Sequence, residues 1–195
     1  MTIKPILFNT EMVQAILEGR KTVTRRVIKF PINRFTQDIP IADDVAIAQL
    51  RADKANFHQN PFFGFDVKLP YSVGDILYIR ETWSEWTGGY VYKAWSESFP
   101  QPGKMSIMNW HPSLHMPKEA ARIWLKVKGV HVERLQDITD EQAEKEGCND
   151  YTSTALGFSY LWDSTIKRTE IDRYGWDANP WVWVIEFEQC EKPEE

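Results

Sequence analysis

A chain of 195 residues with 43% hydrophobic side chains and a net charge of -5 can bury one substantial core but is too acidic to coat a long nucleic-acid duplex. It has no run of about 18 apolar residues to cross a membrane and no basic-then-apolar leader, so a cytoplasmic protein with two reduced thiols, Cys148 and Cys190, is expected. The charge is uneven: residues 1–34 carry seven Lys or Arg against two Asp or Glu, and residues 133–195 carry six against sixteen, a distribution suited to local recognition of a small or single-stranded anion.

In chain order, residues 10–18 read as an amphipathic helix, with Val13, Ile16 and Leu17 at helical spacing. Thr10 is placed to cap its start and Gly19 to end it in a left-handed turn. The chain then alternates as a strand, Val23 and Val27 on one face, Thr22, Thr24 and Arg26 on the other. The junction Gly19-Arg20-Lys21-Thr22-Val23-Thr24-Arg25-Arg26 packs four cations and two hydroxyls into eight residues. Such a cluster repels itself unless it holds something anionic or polar, or unless one lysine gives up its proton. The plain alternative is a solvated basic hairpin.

Residues 31–70 lose periodicity. Pro31, Pro40, Pro61 and Pro70 interrupt them, residues 43–54 form a helical patch, and Phe62, Phe63 and Phe65 are expected to pack down, so the stretch reads as an insertion between strands. Residues 71–75 form a turn into a strand at 76–83, where Leu77, Ile79, Glu81 and Trp83 share one face: a strand leaving a core for a pocket rim. Residues 90–95 read as a further strand. A second insertion, at about 84–121, includes a loop with Trp110, His111 and His115. Residues 122–135 form a long strand with a bulge at Gly129. A helix follows, boxed by Thr139 and Gln142 and ended by Gly147. Residues 153–168 form another helix, burying Phe158, Leu161, Trp162 and Ile166, and residues 181–187 close the sheet. Strands without a βαβ rhythm favour an α+β barrel over a doubly wound sheet.

Two stretches, residues 19–26 and the acidic Ile138-Thr139-Asp140-Glu141-Gln142-Ala143-Glu144-Lys145-Glu146-Gly147, resemble the signatures of the ASCH family, small β-barrels related to the PUA RNA-binding domain. The chain is much longer than the smallest members and looks closer to the longer ones often carried by bacteriophages and prophages. The resemblance implies one PUA-like α+β barrel over residues 1–195 with flanking helices and the two insertions. Some members are amidohydrolases that deacetylate N4-acetylcytidine, and matching their motif residue by residue implies Lys21 as base, Thr24 as nucleophile and Glu146 as proton donor. Others bind RNA or are thought to cut it.

The chemistry can be argued separately. A threonine hydroxyl needs a base, and neighbouring Arg20, Arg25 and Arg26 with burial would depress the Lys21 pKa. The end of an acidic helix would raise that of Glu146. Lys21 and Thr24 meet only if Lys21 lies in the turn before the strand, since positions three apart in a strand face opposite ways. The expected substrate-binding set is Arg20, Arg25, Arg26, Glu81, Trp83, Trp110 and His115, with a nucleoside or single-stranded RNA as partner. No cofactor is implied. No metal site is expected: Pro112 separates His111 from His115 without a third ligand, and the cysteines lack CxxC spacing.

Overall fold

The computed structural model describes residues 1–29, 69–86, 89–98, 108–148 and 154–194. The expected insertion at 31–70, with its helical patch and its phenylalanines, lies almost wholly outside the described residues, as does part of the second.

The architecture is α+β. Strand β1 (Ile3–Leu7) leads into helix α1 (Thr10–Leu17), then β2 (Val23–Val27), β3 (Ile76–Arg80), β4 (Trp83–Trp86), β5 (Gly89–Tyr92) and the long β6 (Trp124–Arg134). Helices α2 (Asp140–Lys145), α3 (Ala155–Thr165) and α4 (Ile171–Tyr174) precede β7 (Trp181–Cys190). Five strands form one sheet in the order β1-β3-β6-β7-β2, parallel between β1 and β3 and antiparallel elsewhere. Strands β4 and β5 form a separate hairpin. The Arg26 guanidinium donates to the carbonyl of Leu7 at 2.7 Å, so the sheet curls until its edge strands, β1 and β2, meet through a side chain. No helix among the described residues is long and apolar enough to cross a membrane.

Alternation along the strands divides the core. One face of the sheet buries Ile6, Leu77, Ile79, Leu125, Val127, Trp183, Ile185 and Phe187 against Val13 and Ile16 of α1. On the other face, Val23, Val182 and Val184 pack against Phe158 and Trp162 of α3 and Ala143 of α2. At the far end of the sheet, Ile76, Tyr78 and Trp124 pack against Met116, Ala120 and Trp83. The bulge expected at Gly129 is a register shift between Val127 and Gly129, which lets one strand of eleven residues serve both ends.

Helix boundaries correct two local expectations. Asn9, not Thr10, caps α1: its extended backbone lets the side chain accept from the Met12 amide at 2.8 Å. Leu17 is exposed rather than on the buried stripe. Both left-handed stops are present, Gly19 at φ 76° and Gly147 at φ 87°, and Thr139 with Gln142 forms the capping box of α2. The strand expected at 90–95 stops at Tyr92 and continues as a 3-10 turn from Lys93 to Ser98.

Candidate functional site

The site is built where α1, β2 and the end of α2 converge. Gly19 turns the chain out of α1, and the amides of both Arg20 and Lys21 bond back to the carbonyl of Ala15. Lys21 therefore lies in the connection before β2, which opens at Val23. The Thr22 amide bonds to the carbonyl of Lys145, tying this connection to α2, 123 residues on.

From there the Lys21 side chain runs inward and is fully buried. Its ammonium donates to Glu146 Oε2 at 2.6 Å, to the Glu146 carbonyl at 2.7 Å and to the Val23 carbonyl at 2.8 Å. All three N–H bonds are thus used within the protein. The Phe8 ring lies below, its centroid 5.7 Å from Nζ. Burial pushes the Lys21 pKa down, and the coulombic and hydrogen-bonding pull of Glu146 opposes that fall.

Glu146 is bracketed by two cations. Its Oε1 accepts from Arg25 at 3.1 Å, and Arg25 also donates through Nε to Glu133 Oε1 at 2.8 Å. Arg25 is on the α3 side of β2, 5.8 Å from the Phe158 ring. The His131 ring lies 3.5 Å from Glu133, on the side nearer the surface. Gly147 holds the turn closed: a Cβ there would sit 2.8 Å from Ala15 Cβ and 3.0 Å from Lys21 Cβ. Only a glycine admits such contact at positive φ.

Thr24 is buried on the opposite face of β2 from Arg25, paired across the ladder with Ile185. Arg26, two residues on, shares that face, is half-buried, and stacks 5.3 Å over the Phe8 ring. The structure thus brings Lys21 and Glu146 into direct contact, with Thr24 one residue past the Val23 carbonyl that Lys21 holds. No described hydrogen bond joins the Thr24 hydroxyl to either.

The remaining expected residues are placed elsewhere or otherwise engaged. Arg20 is exposed and bonded to Glu18 and to the Gly147 carbonyl. Glu81 is buried and held bidentately by Arg122 at 2.9 and 3.0 Å. Burial raises its pKa, against the pull of that arginine. The alternation read through residues 76–83 breaks at Glu81 and Thr82, between β3 and β4. Trp83 consequently joins the cluster of Ile76 and Tyr78 rather than that of Leu77 and Ile79. Its ring lies 5.0 Å from His111 and 5.6 Å from Tyr90. Trp110 is half-buried and His115 exposed, and neither is hydrogen-bonded to Lys21, Thr24 or Glu146.

Three neighbours were missed from sequence: Phe8, Glu133 and Arg122. Phe8 directly follows a β1 of ordinary composition, and the two charged residues stand more than 40 positions from their partners, at Glu81 and Arg25. Nothing local marks any of them.

No family model matches the chain, and no curated protein matches it. Among solved structures, it is similar to an ASCH domain from Lactobacillus crispatus JV V101, at 10% identity and a TM-score of 0.47, over 96% of this chain and 79% of that one. It is also similar to the hypothetical protein PH0355, at 12% identity and a TM-score of 0.43, over 97% of this chain and 100% of that one. A third is protein EF3133 from Enterococcus faecalis V583, at 10% identity and a TM-score of 0.43, over 97% and 76%. The likenesses are loose, and no role for any residue follows from them.

Proposed function

We propose that this protein binds a nucleoside or a single-stranded RNA segment at the junction of α1, β2 and α2, and that the same site deacylates an N4-acetylcytidine-type nucleoside. One observation carries the reading: a buried lysine and a buried glutamate 2.6 Å apart, next to the strand that presents Thr24 and Arg26.

A short contact between an ammonium and a carboxylate, both out of water, is also a proton-transfer pair. Passing one proton from Lys21 to Glu146 leaves a neutral amine and a neutral acid, the state that desolvation favours. In that state Lys21 takes the proton of the Thr24 hydroxyl as its oxygen attacks the acyl carbon. Glu146 gives its proton to the departing N4 amine, and the C–N bond breaks. Water then hydrolyses the threonyl ester, releasing the acid and restoring Thr24.

Binding without chemistry is the second reading, and the engagement of all three Lys21 N–H bonds favours it. Incubation with N4-acetylcytidine, following cytidine release, separates the two. Turnover that disappears in Lys21→Ala and in Thr24→Ala supports the hydrolase. Absence of turnover on every acylated nucleoside removes it. Titration with single-stranded RNA then tests binding, and an affinity indifferent to salt would contradict an RNA partner.

A further inference from the structure

The basic junction holds four cations in sequence, but the fold neutralises three of them. Arg20 is paired with Glu18. Lys21 and Arg25 share Glu146, and Arg25 also holds Glu133. Two buried cations therefore face one buried carboxylate, Glu146, and one partly buried one, Glu133, and their charges cancel. Arg26 is left over. It spends one N–H on the Leu7 carbonyl, and among the described residues no carboxylate pairs with it. Four of its five N–H bonds have no described acceptor.

Among the described groups around Arg26, only Glu146 reaches it with counter-charge, and only through space. Phe8 offers its ring face, which attracts a cation without neutralising it. Tyr71 lies close enough to feel the guanidinium, but its hydroxyl donates to the Pro5 carbonyl, and burial raises its pKa and keeps it neutral. Glu146 is already shared between two cations, and Lys21 adds repulsion. A half-buried guanidinium without an anion costs free energy that an incoming anion recovers. Its planar fork matches phosphate oxygens in a way an ammonium does not. Arg26 lies on the same strand face as Thr24, about 7 Å further along, a spacing that one nucleotide spans.

We infer that the ligand brings its own negative charge: the site takes a phosphate-bearing nucleotide, free or within single-stranded RNA, with the phosphate on Arg26. This rests on the reading that the junction takes a nucleoside, and it specifies which form. Calorimetric titration with cytidine, cytidine 5′-monophosphate and a short single-stranded RNA tests it. The expected result is at least tenfold tighter binding of the phosphate-bearing ligands than of cytidine. Tighter binding of the monophosphate than of RNA identifies a free nucleotide as the source, and the reverse order identifies the RNA backbone.

Arg26→Gln, which keeps a donor for the Leu7 carbonyl, should abolish the gain, so that this variant binds the phosphate-bearing ligands no more tightly than it binds cytidine. Arg26→Lys should keep a fraction. Equal affinity for all three ligands in the wild type overturns the inference and leaves the nucleoside reading standing. A phosphate gain that survives Arg26→Gln also overturns it. Failure of all three ligands to bind overturns both. The wild-type series decides the question even where a variant fails to fold.

Discussion

Lys21 is fully buried and held by three acceptors, and its loss should cost far more than that of a surface lysine. In Lys21→Met, Glu146 keeps only Arg25, and part of its carboxylate is left unpaired. We expect a loss of about 3–5 kcal/mol in urea unfolding, partly recovered when Glu146→Gln is added, because the unpaired charge is then gone. A second residue-scale expectation concerns Asp75. Burial would raise its pKa, but hydrogen bonds from Lys4, the Ser72 amide and Thr2 outweigh burial and hold it well below the usual carboxylate range. A carboxyl depressed on folding contributes stability that is complete above its unfolded value near 3.9 and is lost as pH falls through the folded value. Melting temperature should therefore drop steeply below about pH 4, and Asp75→Asn should flatten that limb while lowering the neutral-pH melting temperature. At this scale the sequence marked Lys21, Thr24 and Glu146 as a group. It could not show which of the four cations are neutralised, because only Glu18, the partner of Arg20, is local, while Glu133 and Glu146 arrive from another part of the chain.

At the scale of elements, α2 is the part on which the site turns, since it delivers Glu146 and its own last carbonyls. Gly147 and Gly19 are both left-handed, but they differ in surroundings. Gly19→Ala meets nothing within 4 Å, so it should cost only the conformational penalty of about 1–2 kcal/mol. Gly147→Ala adds a collision with Ala15 and Lys21, and must push α2 away from α1. We expect it to be the more destabilising of the two by denaturant midpoint, and to weaken ligand binding where Gly19→Ala does not. Helix ends were legible because their signals are local: a left-handed glycine, or a capping box that needs only Thr139 and Gln142. The α1 cap was assigned one residue late because Asn9 and Thr10 are both capping types, and only the backbone angles separate them. The break at Glu81 and Thr82 was invisible, since period-two alternation continues unbroken through it. At that break buried Glu81 is held by partly exposed Arg122, a partner 41 residues away.

For the whole molecule, a net charge of -5, with Arg26 the one cation of the junction that no carboxylate pairs with among the described residues, sets an expectation for how RNA binds. A protein that contacts one phosphate should show log affinity against log salt with a slope of about -0.7, not the steep dependence of a basic groove. Fluorescence anisotropy with labelled RNA between low and physiological salt measures this, and a slope several times larger would point to contacts well beyond Arg26. The α+β class was readable from strand spacing; the order β1-β3-β6-β7-β2 was not, because it is set by pairings between distant stretches. That order has a consequence for synthesis. Strand β7 comes last of the seven, yet it lies between β6 and β2. Until residues 181–190 emerge from the ribosome, β2 has no neighbour to zip against among the described strands, and the described sheet is held in two unjoined pieces. The junction that carries Lys21 is thus translated well before β7, the strand that ties β2 into the sheet.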